Sequence, residues 1–178
     1  MPLKGKLVKL IPMEKKYLIT LFNWESDISI KYLTNENSKI LTLKEFKKKF
    51  YEKTNNNIFL LIMALKNNEI IGFINGIGYN KIDRYIYING FIKDINENKE
   101  MFKESSLLFY KYIFDNFNVR KIYSELYSYN IQYAKTLREL GFKKELKLED
   151  YKFFNGKYHS KYVLSLDKET FLDDRSKI

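Results

Sequence analysis

The 178-residue chain is 45% hydrophobic, enough for one buried core and too short for two ordinary domains. No cysteine and a single histidine, His159, exclude disulfides, thiolate metal sites and a cysteine nucleophile, and leave little for zinc; no metal is expected. The net charge of +10 suits an anionic partner such as an acidic protein or cofactor, or else marks a lysine-rich solvated surface, since Arg84, Arg120, Arg138 and Arg175 are its only arginines.

Residues 7–12 alternate apolar and polar and predict a first strand, followed by a helix over about 14–24. Thr42 with Glu45 three residues on makes a capping box, so a helix runs over about 43–53. The β-rich runs 58–65 and 70–79 flank a polar turn and read as a hairpin, with a third strand over 84–92. The period then changes. Phe102, Ser106, Phe109, Ile113 and Phe117 recur at helical spacing and predict a long buried helix over about 100–117. A strand over 120–129 leads to a helix over 131–140 with Tyr133, Leu137 and Leu140 on one face and Gly141 as its left-handed cap. Two last strands flank Asn155 and Gly156, a two-residue hairpin turn.

Residues 1–166 are therefore expected to form one domain, and 167–178 a polar tail. The 17% aromatic content makes for a bulky core and speaks against disorder. The longest apolar run, 58–65, falls far short of the ~20 residues of a membrane span, and residues 1–10 hold no sustained apolar stretch. A cytoplasmic protein is the expectation.

The order of elements, strand, two helices, three antiparallel strands, helix, strand, helix, two strands, resembles the GNAT family of N-acyltransferases. Individual residues carry the likeness further. Lys121, Ile122, Leu126, Asn130, Ala134, Gly141 and Phe142 match the family's Lys-Ile stretch running through an asparagine into a helix that closes on Leu-Gly-Phe. Residues 69–73 resemble its second hairpin, Trp24 and residues 10–12 its opening segment, and residues 155–158 its terminal hairpin. The combination is similar to the branch that acetylates N-terminal amines of ribosomal proteins. The resemblance implies an α/β (α+β) fold: a mixed, twisted, mostly antiparallel sheet of about six to seven strands with about four helices. It also implies that the strands over 84–92 and 120–129 splay apart to form a slot.

The resemblance further implies acyl transfer from a pantetheine thioester to an amine, with acetyl-CoA or another acyl-CoA as donor. The pantetheine arm would pair with the strand backbone at Gly90, Phe91 and Ile92, and the pyrophosphate would rest at the helix start, near Asn98, Lys99 and Lys103. The family's glycine-bearing loop falls on residues 97–102, where Glu97, Glu100 and Phe102 replace the diagnostic residues. Over 93–104 three lysines face four carboxylates, so carboxylates capping their own helix start compete with phosphate there. Asn130 could hold the donor or a water, or simply cap its helix. Tyr133 could donate a proton to the leaving thiolate, or only pack. Glu125 could act as base, or face solvent, and His159, the only imidazole, could transfer a proton but sits on a hairpin.

Three functions follow from one scaffold. The first is an N-acyltransferase acting on an amine of a protein, peptide or small molecule. The second is an acyltransferase fed by the phosphopantetheine of an acyl carrier protein, whose acidic surface suits this charge. The third is a GNAT-like binding module without catalysis.

Overall fold

The computed structural model describes residues 3–27, 40–55 and 57–175. In chain order they form β1 (Leu3–Lys4), β2 (Val8–Pro12), a 3-10 turn (Lys15–Tyr17) running into α1 (Leu18–Ser26), α2 (Leu43–Thr54), β3 (Ile58–Ala64), β4 (Ile70–Asn80) and β5 (Tyr85–Ile92). Then come α3 (Lys99–Asn116), β6 (Lys121–Tyr127), α4 (Ile131–Glu139), β7 (Lys143–Phe154), β8 (Lys157–Asp167) and α5 (Lys168–Arg175). The strands make one sheet in the order β1-β2-β3-β4-β5-β6-β8-β7, antiparallel throughout except where β5 meets β6.

Local chemistry sets several element ends. The Thr42 hydroxyl accepts from the Glu45 amide while the Glu45 carboxylate accepts from the Thr42 amide at 2.8 Å, so the capping box forms as its sequence predicts. Gly141 takes a φ of 91° after α4, and the Phe142 amide donates back to the Leu137 carbonyl at 3.0 Å, closing the helix end. Asn155 and Gly156 both have positive φ, 49° and 77°, as a type I′ hairpin turn requires.

Helices cover both faces of the sheet. On one, Phe102, Phe109, Ile113 and Phe114 of α3 and Leu137 of α4 pack on Ile62, Ile74, Ile86, Ile122 and Leu164. On the other, Leu18 and Leu21 of α1 and Phe46 of α2 pack on Leu61, beside Phe59 and Phe73. Val8, Leu61, Ile62, Phe109, Ile113, Ile122 and Leu137 retain no exposure to within a percent, so the two layers share one sheet with a dry side each way. No described helix is long and apolar enough to cross a membrane.

Three features depart from the sequence expectation. The sheet has eight strands rather than six or seven, because β1 adds a two-residue edge. Among the described residues there are five α-helices rather than four. The fifth occupies most of the expected polar tail, of which residues 176–178 lie outside the described residues. One apolar side chain accounts for it: Phe171 is 4% exposed, with its ring 5.2 Å from Phe114 and 6.4 Å from Tyr110. The Lys168 ammonium donates to the Phe114 carbonyl at 2.8 Å and the Lys168 amide to the Arg120 carbonyl at 2.9 Å, which pins the start of α5.

The added edge has an equally specific cause. The Glu104 carboxylate of α3 accepts three successive amides, Lys6 at 2.7 Å, Leu7 at 2.8 Å and Val8 at 2.9 Å. Gly5 allows that approach, since a Cβ there would run into the carboxylate. Charge-assisted bonds of this kind are about twice as strong as neutral ones. Glu104→Gln places an NH2 group against the same donors, and we expect a loss of about 1–2 kcal/mol in urea unfolding with the denaturant slope unchanged.

Candidate functional site

The site begins where two strands part. β5 and β6 pair in parallel only from Tyr85↔Lys121 to Ile88↔Ser124. Residues 89–92 continue bonded to β4 alone, and residues 125–127 to β8 alone, so the expected splay is present. Each strand keeps its outer partner and loses its inner one, which leaves the inner edge of Gly90, Phe91 and Ile92 unpaired by strand. That edge is already partly answered: the Gly90 amide donates to the side-chain oxygen of its own neighbour Asn89 at 2.9 Å.

Tyr133 comes to the same place from α4, which three residues separate from the end of β6. Its hydroxyl is 3.4 Å from the Ser124 hydroxyl and lies against the Gly90 amide. Burial pushes the phenol above its ordinary value of 10.0, while those two hydrogen bonds pull it back part of the way. The group is thus protonated across the physiological range. Its ring also packs 5.6 Å from Phe102, so packing and a proton-bearing hydroxyl coexist in one side chain.

Asn130 occupies the N-cap of α4 and is 5% exposed. Its amide donates to the Tyr127 carbonyl and its carbonyl accepts from the Ala134 amide, both at 2.9 Å. The side chain, however, makes no capping bond. Simple capping therefore does not describe this residue.

Glu125 is not brought to the Tyr133 side. Ile122, Ser124 and Leu126 of β6 are buried toward α3 and α4, and alternation sends Glu125 with Tyr123 and Tyr127 to the opposite face. There its carboxylate meets the Lys161 ammonium at 2.6 Å. His159 is elsewhere again, its Nε2 3.2 Å from the Phe154 carbonyl and its ring edge-on to Tyr129.

At the start of α3 the expected donor-binding residues have protein partners. The Asn98 side chain donates to the Lys93 carbonyl at 2.8 Å and does not cap the helix. Lys99 reaches Glu139 of α4 at 2.7 Å, and Lys103 reaches the same carboxylate at 3.4 Å and Glu100 at 3.6 Å. The two ammonium groups, Lys99 foremost, hold the Glu139 carboxyl below the ordinary carboxylate range. Among the described residues neither Glu97 nor Glu100 accepts a bond from the helix-start amides, so the internal capping expected of them is not found. Phe102, where the family has its second glycine, is 1% exposed and rests against Gly90, whose added Cβ would sit 3.1 Å from its ring.

Sequence reading missed Ser124, Asn89 and Glu139. Ser124 left a signal, a small polar residue at an inward position between Ile122 and Leu126. Glu139 left none, since its partner Lys99 lies 40 positions away.

No family model matches the chain, and no curated protein matches it. Solved structures do. The spermidine N-acetyltransferase from Vibrio cholerae in complex with CoA and spermine superposes with a TM-score of 0.83 at 20% identity, covering 94% of this chain and 99% of that one. A GNAT-family acetyltransferase from Bacillus anthracis gives 0.77 at 15% identity over 95% and 99% of the two chains. The ribosomal-protein-S5-alanine acetyltransferase from Vibrio fischeri gives 0.77 at 15% identity over 95% and 97%. With such relatives matching from end to end, and with the splayed strands and the element order in agreement, the chain has the GNAT acetyltransferase fold.

Proposed function

We propose that this chain is an N-acyltransferase that moves an acyl group from a pantetheine thioester, acetyl-CoA by default, to an amine. The observation that carries the reading is the parting of β5 from β6 with the Tyr133 hydroxyl at its mouth. The unpaired backbone edge at Gly90, Phe91 and Ile92 offers the pantetheine amides a strand to lie beside. A thioester oxygen laid along that edge would take the place of the Asn89 side-chain oxygen that the Gly90 amide now meets.

The amine lone pair forms the C–N bond, and the C–S bond breaks as the oxyanion collapses. The thiolate takes the phenol proton of Tyr133, which regains one from solvent, and the surplus proton on nitrogen leaves to water. Asn130, buried at the head of α4, is the residue suited to hold a pantetheine amide or that water. Glu125 stands on the other face and has no step here.

CoA itself should bind weakly, in the tens of micromolar, or about −6 kcal/mol. The backbone at residues 97–102 has no glycine to let phosphates approach, and Lys99 and Lys103 are engaged by Glu139. Glu139→Ala releases both ammonium groups, and calorimetry should show CoA binding tightened about fivefold, with the gain fading at high salt. Carrier-protein feeding would show instead as salt-sensitive carrier binding with no CoA turnover. The decisive measurement of activity is thiol release from acetyl-CoA in the presence of spermidine or of a peptide with a free N-terminal amine. Spermidine is a reasonable first acceptor because the Vibrio cholerae enzyme named above is a spermidine N-acetyltransferase. No thiol release with either amine at saturating acetyl-CoA would overturn the reading.

A further inference from the structure

The face of the sheet opposite Tyr133 contains one polar atom that the fold leaves unanswered. Asn75 of β4 is 7% exposed, and its side-chain oxygen is buried with no hydrogen-bond donor among the described residues. Such an atom costs about 1–3 kcal/mol relative to a satisfied one, so a buried acceptor without a donor calls for an explanation.

Its position supplies one. Ile74 and Gly76 of β4 point toward α3, Ile74 within the large core and Gly76 against Ile86 and Phe109. Alternation therefore sends Asn75 with Phe73 to the face that α1 and α2 cover. Across the sheet Asn75 lies directly between Phe59 of β3 and Asn89 of β5. Asn89 is the first residue beyond the last β5–β6 pair, Ile88↔Ser124, and its own side-chain oxygen is taken by the Gly90 amide. Asn75 thus stands one strand, about 4.8 Å, back from the mouth of the splay. Its surroundings are aromatic: Phe73 lies 5.7 Å from Phe91, and Phe91 lies 5.3 Å from Trp24 of α1.

We propose that the Asn75 side-chain oxygen is the seat for an N–H of the incoming acceptor, a primary amine on an aliphatic chain, with the chain lying along the Phe73, Phe91 and Trp24 wall. The inference rests on the acyltransferase reading and adds the acceptor's class and the residue that orients it. A carboxamide suits this task better than a carboxylate, because it accepts an N–H from ammonium and from neutral amine alike and does not hold the nitrogen in its charged, unreactive form. An aliphatic alcohol offers one donor instead of the two or three of an amine. The nitrogen needs one donor for Asn75 and must still shed a proton as it attacks, so the seat selects amines over alcohols.

The test uses Asn75→Leu, which keeps the volume and removes both polar atoms. Thermal melting should be unchanged or slightly raised, because a buried unanswered acceptor is gone. The KM for n-butylamine or spermidine should rise at least tenfold while the KM for acetyl-CoA stays put. A lowered melting temperature together with an unchanged amine KM would overturn the proposal and make Asn75 a structural residue. A second readout needs no turnover: the side-chain NH2 signal of Asn75 in nitrogen-15 spectra, assigned by its loss in Asn75→Leu, should move with n-butylammonium and not with 1-butanol. If it moves and no amine is acylated, the seat stands and the acyltransferase reading falls. If amines are acylated and the signal stays still, the seat falls alone.

Discussion

Replacing Tyr133 by phenylalanine is expected to lower kcat for amine acylation at least about 10²-fold, the usual size of a positioned acid's contribution. The ring stays, and with it the packing on Phe102 at 5.6 Å, so the fold should survive with a loss near 1 kcal/mol for the hydrogen bond to Ser124. The KM for acetyl-CoA should change little, because the phenol acts on the leaving sulfur and holds no phosphate. The pH profile supplies an independent sign. Burial raises this phenol above 10.0, and an acid works in its protonated form, so the wild-type rate should not fall on the alkaline side until the pH exceeds that value. An alkaline limb well below pH 10 that persists in Tyr133→Phe would assign the proton to another group, and an unchanged kcat would remove Tyr133 from the chemistry.

The largest loss of stability should come from the end of the described chain. Phe171→Ala removes a ring that is 4% exposed and in contact with Phe114 and Tyr110, and truncations of buried phenylalanine cost about 3–5 kcal/mol. In a domain of this size that is a fall of roughly 10 °C in melting temperature. Phe171→Leu, which refills most of the space, should recover over half of it. A melting point unmoved by Phe171→Ala would mean that α5 is an appendage and that the core ends with β8.

These two residues also mark how far the sequence could be read. Elements closed by neighbours in the chain were legible: the Thr42 and Glu45 box, the turn at Asn155 and Gly156, and the cap at Gly141 all depend on groups within five residues of one another. The polar stretch after β8 was not, because one phenylalanine among charged residues makes no periodic signal and its partners are distant. At the site, the spacing from Asn130 to Tyr133 put both at the head of one helix, and the structure keeps them there. Glu125 lies on the face away from Tyr133 for a physical reason. Alternation along β6 separates Ile122, Ser124 and Leu126 from Tyr123, Glu125 and Tyr127, but nothing local says on which of the two faces α4 will land. The Glu139 partner of Lys99 and Lys103 was equally hidden, since it is brought to them by the packing of α3 against α4.

The Glu104 contacts with Lys6, Leu7 and Val8 join positions separated by 96 to 98 residues. A chain synthesised from its N-terminus exports those three donors long before their acceptor has been made. β2 can pair with β3 once the residues up to Ala64 have emerged, but the bend that precedes it stays hydrated until the first turns of α3 leave the ribosome. The edge of the sheet that is oldest in the order of synthesis is therefore finished only after β3, β4 and β5 have been made. Nascent chains arrested before Glu104 should consequently leave Lys4 and Lys6 open to trypsin, and chains long enough for α3 to have left the ribosome should protect them.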